Sequence, residues 1–390
     1  MLLFFIWLLL KTREDGQYLG MLLSRGKYLI ASIFIIAIFD IVLTSSISAQ
    51  TRTFILLFMA YSIMLAYRKG HQAFVKVLLI LLLADYCYTV FMYFRLLAAD
   101  PMYARTFSSG NQEGIAGVGG YIFIYATTFL FSYLAGVILK KSTWRKAPVL
   151  LICLSIVQFI LILRAMYYIA IITAISCLVY ALLPISPKHK FSIAVILAIV
   201  MYLLKNPLAD LILSIANSIS SELTANKLLE IAKYLTADSL SNFSPTSRIG
   251  LVATSIRAFL EHPLLGVYNF KASALYIRGH SGVFDLISNY GIIRATPIII
   301  FLYSALKEIV RSAPSFSKDA IKLSIATFVF VGVFDPIFSS QILTVVFVVI
   351  PLLSENIYCT MISAPADLSN EHTELEQSKP HAISNRRWRR

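Results

Sequence analysis

The chain has 390 residues, 58% of them hydrophobic and 14% charged, with a mean hydropathy of +0.77. Soluble domains carry roughly 25% charged residues, so the composition excludes an ordinary soluble domain and indicates a polytopic membrane protein. The net charge of +14 does not point to nucleic acid as a partner: the basic residues are dispersed between apolar runs rather than gathered on one domain, as the positive-inside rule requires of a membrane protein.

A spanning helix needs about 20 mainly apolar residues. Residues 1–10 are apolar but only half that length, and charge follows them (Lys11, Arg13, Glu14, Asp15), the reverse of a signal peptide. They read as an interfacial helix or as a shortened eleventh span. Candidate spans then cover 28–48, 53–67, 74–98, 120–139, 147–163, 165–183, 191–205, 289–309, 319–334 and 340–358. The fold class is therefore an all-α integral membrane protein of about 10–11 transmembrane helices. Cys87, Cys153, Cys177 and Cys359 all fall within or beside apolar runs, without a CxxC pair, so disulfide and zinc readings are both poor.

Of the 34 Lys and Arg, 22 lie in 11–27, 68–76, 140–146, 188–190, 307–322 and the tail. These alternate intervals are predicted to be cytoplasmic, which turns the long loop 206–288 outward; long loops translocate whatever their charge. The organisation is a bundle of seven to eight spans (1–205), the outward loop (206–288), three further spans (289–360) and a polar tail (361–390) ending RRWRR. The tail reads as disordered, with its basic end near the anionic inner leaflet.

Several charges fall in or between the spans. Asp40, Asp85, Arg95 and Asp335 look buried, and ten residues separate Asp85 from Arg95, a poor spacing for a pair on one helix. The outward loop 99–119 is glycine-rich and carries Arg105. The apolar run 149–183 is about two spans long, with Arg164 at its outward turn. A turn arginine there serves a functional site or a structural pair, or snorkels to the outer headgroups; spacing alone does not choose.

Within the long loop, Leu208, Leu211, Ile212 and Ile215 follow an i, i+3, i+4, i+7 pattern, as do Leu228, Ile231, Ala232 and Leu235. Both read as amphipathic helices lying on the membrane surface or over the spans. Ser244-Pro245 fits an N-cap followed by proline at the first helical position, and the helix should run to about Glu261, ahead of Pro263. Its apolar side carries Val252, Ile256, Phe259 and Leu260. Arg248 falls in or near its first turn, where a cation opposes the helix dipole unless an anion occupies the site. Arg257 lies nine residues on, about 180° round the helix, so the two arginines do not easily share one ligand.

Arg278, Gly279 and His280 lead into Ser281-Gly282, where the next helix is predicted to begin. An imidazole at the outward mouth of a span suits a general base, its unperturbed pKa being near 6.5; a surface or capping histidine is the plainer alternative. Asp285 and Asn289 are four apart, on one helical face, and either line the same cavity or mark the water-facing end. No nucleophile elbow supports a Ser-His-Asp triad, and the outward acidic residues do not cluster with histidine at metal-ligand spacing.

In order and spacing, LILRAMYYIAI at Arg164, TSRIGLVATSIRAFLEHPLLGVYNF from Thr246 and GHSGVFDLISNYGII from Gly279 resemble the bacterial O-antigen polymerase and O-antigen ligase superfamily. The resemblance covers roughly 158–309. It implies a multi-pass glycosyltransferase of the inner membrane, with the long loop periplasmic and the C-terminus cytoplasmic. The implied donor is an undecaprenyl-diphosphate-linked oligosaccharide, used without cofactor, nucleotide sugar or essential metal; a chain-length regulator protein is an implied partner. Carried over by position, the resemblance makes Arg164 and Arg248 the diphosphate contacts and His280 the base. Arg278, Arg257, Asp285, Asn289 and Arg105 are the accompanying substrate-binding candidates. Two positions depart from the family pattern: Ser281 stands where asparagine often follows the histidine, and Arg294 stands where glycine follows YGII. The resemblance favours the polymerase, with the ligase open beside it, and a flippase or transporter of lipid-linked glycan as the alternative of another class.

Overall fold

The computed structural model describes residues 2–44, 49–68, 72–99, 103, 120–139, 149–165, 167–183, 189, 203–218, 225, 228–229, 232–233, 236, 248–267 and 281–363. These are helical almost throughout, and no strand occurs among them. Arg105, Arg278, His280, nearly all of the predicted span 191–205, Ile231 and Leu235 of the second amphipathic pattern and nearly all of the tail lie outside the described residues.

Helices α1 (Leu2–Glu14), α2 (Gly16–Thr44), α3 (Ala49–Arg68) and α4 (Gln72–Ala99) come first, followed by α5 (Tyr121–Ile138), α6 (Val149–Arg164) and α7 (Tyr168–Leu182). Then come α8 (Lys205–Ser218), α9 (Arg248–Glu261), α10 (Gly282–Ser312) and α11 (Lys318–Phe334). The last is α12 (Ser340–Thr344), which runs through a π-helical turn (Val345–Val349) into α13 (Ile350–Ser363). Among the described residues, four stretches are long and apolar enough to cross a membrane: Gly16–Val42, Lys76–Ala99, Tyr121–Ile138 and Gly282–Ser312. Shorter apolar helices occupy Thr51–Ala66, Val149–Arg164, Tyr168–Leu182 and Gln341–Glu355. Each overlaps a span read from the sequence, although Gly16–Val42 begins well before the predicted 28–48.

Helix α5 is the centre. Its sequence is apolar on every side, as befits a helix enclosed by protein, and every residue from Phe123 to Ala135 is buried. Helices α6, α7, α11 and α12 pack around it. The buried hydroxyls of Thr128 and Ser132 donate to the carbonyls of Ile124 and Phe129 on α5 itself, both at 2.8 Å, so they bring no unmatched polar atom into the apolar interior. Small residues bring α5 and α11 together: a Cβ added at Gly136 would lie 2.9 Å from the Ala320 Cα. Close backbone approach of this kind is how helices associate where solvent supplies no hydrophobic drive. Farther along, Ser324 Oγ donates to Phe129 O at 2.9 Å. The apolar windows of α2 and α4 are only 28% buried, against 83% for α5, so these outer helices leave much of their surface free for lipid.

Two sets of contacts mark the ends of the bundle. Arg25 of α2 pairs with Glu308 of α10, which brings the predicted basic intervals 11–27 and 307–322 to one end. The start of α10 lies at the other. There the Gly282 N–H donates to Asp335 O at 3.0 Å, and the Tyr125 hydroxyl donates to the Asp335 carboxylate.

The long loop's helices pack differently from their apolar patterns. In α8 the buried residues are Ala209 and Ala216, while Leu211 and Ile215 remain 57% and 44% exposed. In α9 Ser255 and Ala258 are buried, whereas Leu260 is 70% exposed. In α9 the small side chains allow close approach to α10, and Leu260 turns away from it.

Candidate functional site

Helix α10 is broken near its start. Gly291 has φ 61° and ψ −179°, a conformation nearly reserved to glycine. The break frees backbone groups that a continuous helix would pair, and the HPLLG turn after α9 takes them up. Ile292 N donates to Pro263 O at 2.8 Å, Ile293 N to Leu264 O at 3.2 Å, and Val267 N to Ser288 O at 2.9 Å. The turn needs its own glycine, Gly266, at φ 71°. A Cβ at Gly266 would sit 2.6 Å from Gly291 N, and one at Gly291 would sit 2.5 Å from Gly266 N. Irregular backbone at membrane depth is tolerated where protein satisfies it, and here the loop does so.

Arg294 completes the joint. It is 1% exposed. Its Nε donates to Tyr290 O at 3.1 Å, and its Nη2 donates to Asn289 O at 3.2 Å and to Leu265 O. Its guanidinium carbon lies 5.0 Å from the centre of the Phe39 ring and 5.5 Å from that of Tyr290. A planar fork of donors suits a cluster of carbonyls at a helix break. A glycine at this position would supply no such fork.

A second layer fixes the start of α10. Ser281 Oγ accepts from Phe284 N at 3.1 Å, an N-cap, and donates to Gly332 O at 3.2 Å. Asp285 is buried, with both carboxylate oxygens engaged: Oδ1 accepts from Ser255 Oγ at 2.6 Å and Oδ2 from Ser281 N at 3.0 Å. Negative charge in the first helical turn also complements the helix dipole. One turn on, Ser288 Oγ donates to Ser255 O. The serines and the aspartate thus lock α9 to α10.

The sequence-predicted site residues fall into three groups. Arg164 is the last residue of α6; it is exposed and forms no hydrogen bond or ion pair to a described residue. The structural-pair reading therefore has no partner among the described residues. Arg248 is the first described residue of α9, the predicted cap at Ser244-Pro245 lying outside the described residues, and Arg257 is exposed on that helix. Asp285 and Asn289 belong to the joint: Asp285 is turned into α9 rather than toward a cavity, and Asn289, half-buried, lends its carbonyl to Arg294. Arg105, Arg278 and His280 lie outside the described residues, although Ser281, next to His280 in the chain, is well anchored.

Contacts connect Arg164 to this anchor. Three residues past Arg164, the Tyr167 ring lies 6.2 Å from that of Tyr125. The Tyr125 hydroxyl bonds Asp335, and the Asp335 carbonyl holds Gly282. The α6–α7 turn, the start of α5 and the start of α10 thus meet at one end of the bundle, away from the Arg25–Glu308 pair. Among the described residues, no three His, Cys, Asp or Glu side chains converge as metal ligands would.

Reading the sequence missed Ser255, Ser288 and the knot at Arg294. The signal for the knot was present in two glycines that follow HPLL and NY, but their mutual contact is long-range. No protein-family model and no curated protein sequence matches the chain.

Proposed function

We propose that the chain is a membrane glycosyltransferase that polymerises undecaprenyl-diphosphate-linked oligosaccharide repeat units into O-antigen or a related surface polysaccharide. The site lies at the periplasmic face of the bacterial inner membrane, with the C-terminal tail cytoplasmic. The observation that carries this reading is the linked end of the bundle. Arg164, a cation without a partner among the described residues, shares that end with the anchored residue that follows His280, and the helix that carries Arg248 is locked onto the same corner.

In this mechanism the acceptor hydroxyl gives its proton to His280 as its oxygen attacks the anomeric carbon of the donor. The bond from that carbon to the diphosphate oxygen breaks, and undecaprenyl diphosphate departs with the electron pair. Arg164 and Arg248 stabilise the charge that develops on the leaving group. Arg248 does so together with free N–H groups at a helix start. The serine–aspartate joint and the broken-helix knot keep the two arms of the site in register, which matters because displacement by 1 Å costs about a hundredfold in rate.

Deleting the gene and running the lipopolysaccharide on a gel tests the reading. Core carrying a single repeat supports the polymerase. Core without any repeat indicates the ligase, and an unchanged ladder of chain lengths overturns both. Normal chain length from Arg248→Ala and His280→Ala chains at normal expression would instead remove the enzymatic role from the loop.

A further inference from the structure

Helix α4 carries a carboxylate where a spanning helix tolerates one least. Asp85 is the tenth residue of the apolar stretch Lys76–Ala99. It is exposed and bonds to no described residue. It lines a cavity of about 210 Å³ between α4, α5 and the start of α12, with Tyr86, Thr89, Gln341 and Thr344. The Tyr86 hydroxyl is fixed by Thr127 Oγ1 and Gln158 Nε2, each at 3.1 Å. Gln158 lies six residues before Arg164, about 9 Å along the helix, so the cavity sits inside the apolar layer.

A charge in such a place marks a partner or a path. Since one water takes up about 30 Å³, the space is too large for a proton or a lone ion and suits a long side chain. Its polar lining offers a carboxylate, a carboxamide and hydroxyls but no cation, and is complementary to a positive group with several N–H donors. The approach to it is also built. Val77, Leu81, Ala84, Tyr88 and Phe91 are all exposed, and their spacing alternates four and three residues, the interval at which a second helix packs along a seam.

We propose that this face of α4 docks a transmembrane helix of a different membrane protein, and that a lysine or arginine of that helix enters the cavity and pairs with Asp85. A second copy is disfavoured, because a two-fold axis along the membrane normal would face Asp85 with its own mate. The proposal is independent of the glycosyltransferase reading.

The test uses the full chain in the membranes of its own host, with a photo-crosslinking amino acid in place of Tyr88. The expected adduct joins the chain to another membrane protein with a lysine or arginine inside a span. It falls at least tenfold in Asp85→Asn, persists in Asp85→Glu, and returns when Asp85→Lys is combined with an acidic residue at the partner's basic position. Leu81→Trp, which leaves the carboxylate intact but crowds the seam, should weaken the adduct equally and guards against misfolding of the Asp85→Asn chain. Adducts to lipid alone, to a second copy or to a partner without an intramembrane cation overturn the proposal. So does an adduct unaffected by Asp85→Asn and Leu81→Trp at normal protein levels.

Discussion

Replacing Gly291 with alanine tests the broken-helix knot most directly. At φ 61° and ψ −179° a side chain costs about 1–3 kcal/mol in backbone strain alone. The new methyl would also stand 2.5 Å from Gly266 N and closer still to Leu264 O. Both are backbone atoms, unable to rotate aside, so the HPLLG turn must retreat. Retreat breaks or stretches the bonds from Ile292 N to Pro263 O and from Ile293 N to Leu264 O, each contributing about 0.5–1.5 kcal/mol. The sum is roughly 2–6 kcal/mol, or a fall of about 2–7 °C in the unfolding midpoint for a chain of this size. Thermal unfolding of the detergent-purified protein, followed by loss of the monodisperse peak, measures it. Gly20→Ala is the control: a Cβ there meets nothing within 4 Å, and alanine is the better helix former, so the midpoint should hold or rise slightly. Gly266→Ala should lower stability too, and the double variant should cost less than the two single costs added, since either methyl opens the same contact. A Gly291→Ala protein that unfolds within about 1 °C of the parent would refute the reasoning, because no repacking can relieve two backbone overlaps without moving the turn.

Arg294→Met removes a buried fork from the carbonyls of Leu265, Asn289 and Tyr290. The expected loss is about 2–4 kcal/mol in thermal unfolding, from buried carbonyls left without donors. Ser255→Ala leaves a buried carboxylate oxygen of Asp285 without its donor, at about 1–3 kcal/mol, and should loosen hydrogen exchange at the start of α10 before the rest of the bundle. Arg164→Ala is expected to leave the unfolding midpoint unchanged, because the side chain is exposed and bonds no described residue. If the proposed polymerase function holds, it should nevertheless cut polymer synthesis about 10²–10³-fold, measured as the rate at which repeat units are joined in membranes. Gly136→Leu should force α5 from α11 at Ala320 and abolish accumulation of the folded chain, seen as loss of the monodisperse species on size exclusion.

What the sequence displayed and what it hid follow one physical division. Apolar length is a local property, so the four long apolar helices and the four shorter ones could be read directly, and so could the start of α10 at Ser281-Gly282. Which face of a helix packs is not local. Val252, Ile256, Phe259 and Leu260 form the visible stripe of α9, yet Ser255 and Ala258 make the buried contact, because close approach selects for small volume rather than hydrophobicity. In a membrane the usual inference from apolar to buried fails, since lipid accepts an exposed leucine as readily as a protein interior does. Asp285 shows a related point. A carboxylate four residues before an asparagine looks like part of a cavity lining, but its partners, Ser255 and the Ser281 N–H, are supplied by another helix and by its own cap. The departure at Arg294, by contrast, was visible beforehand and now has a structural role.

The joint between the HPLLG turn and α10 also bears on how related proteins can be recombined. A loop is usually treated as a cassette, to be lifted out between the last residue of one span and the first of the next. Here the natural cut, near Ser288 and Asn289, would sever a hydrogen-bonded unit in which residues 263–267 complete the backbone of residues 288–293. A chimera that takes the loop from one protein and the following span from another would inherit mismatched halves. One whose junction falls beyond Arg294 would carry turn, break and guanidinium together. Any exchange of parts should therefore move the first half of α10 with the loop.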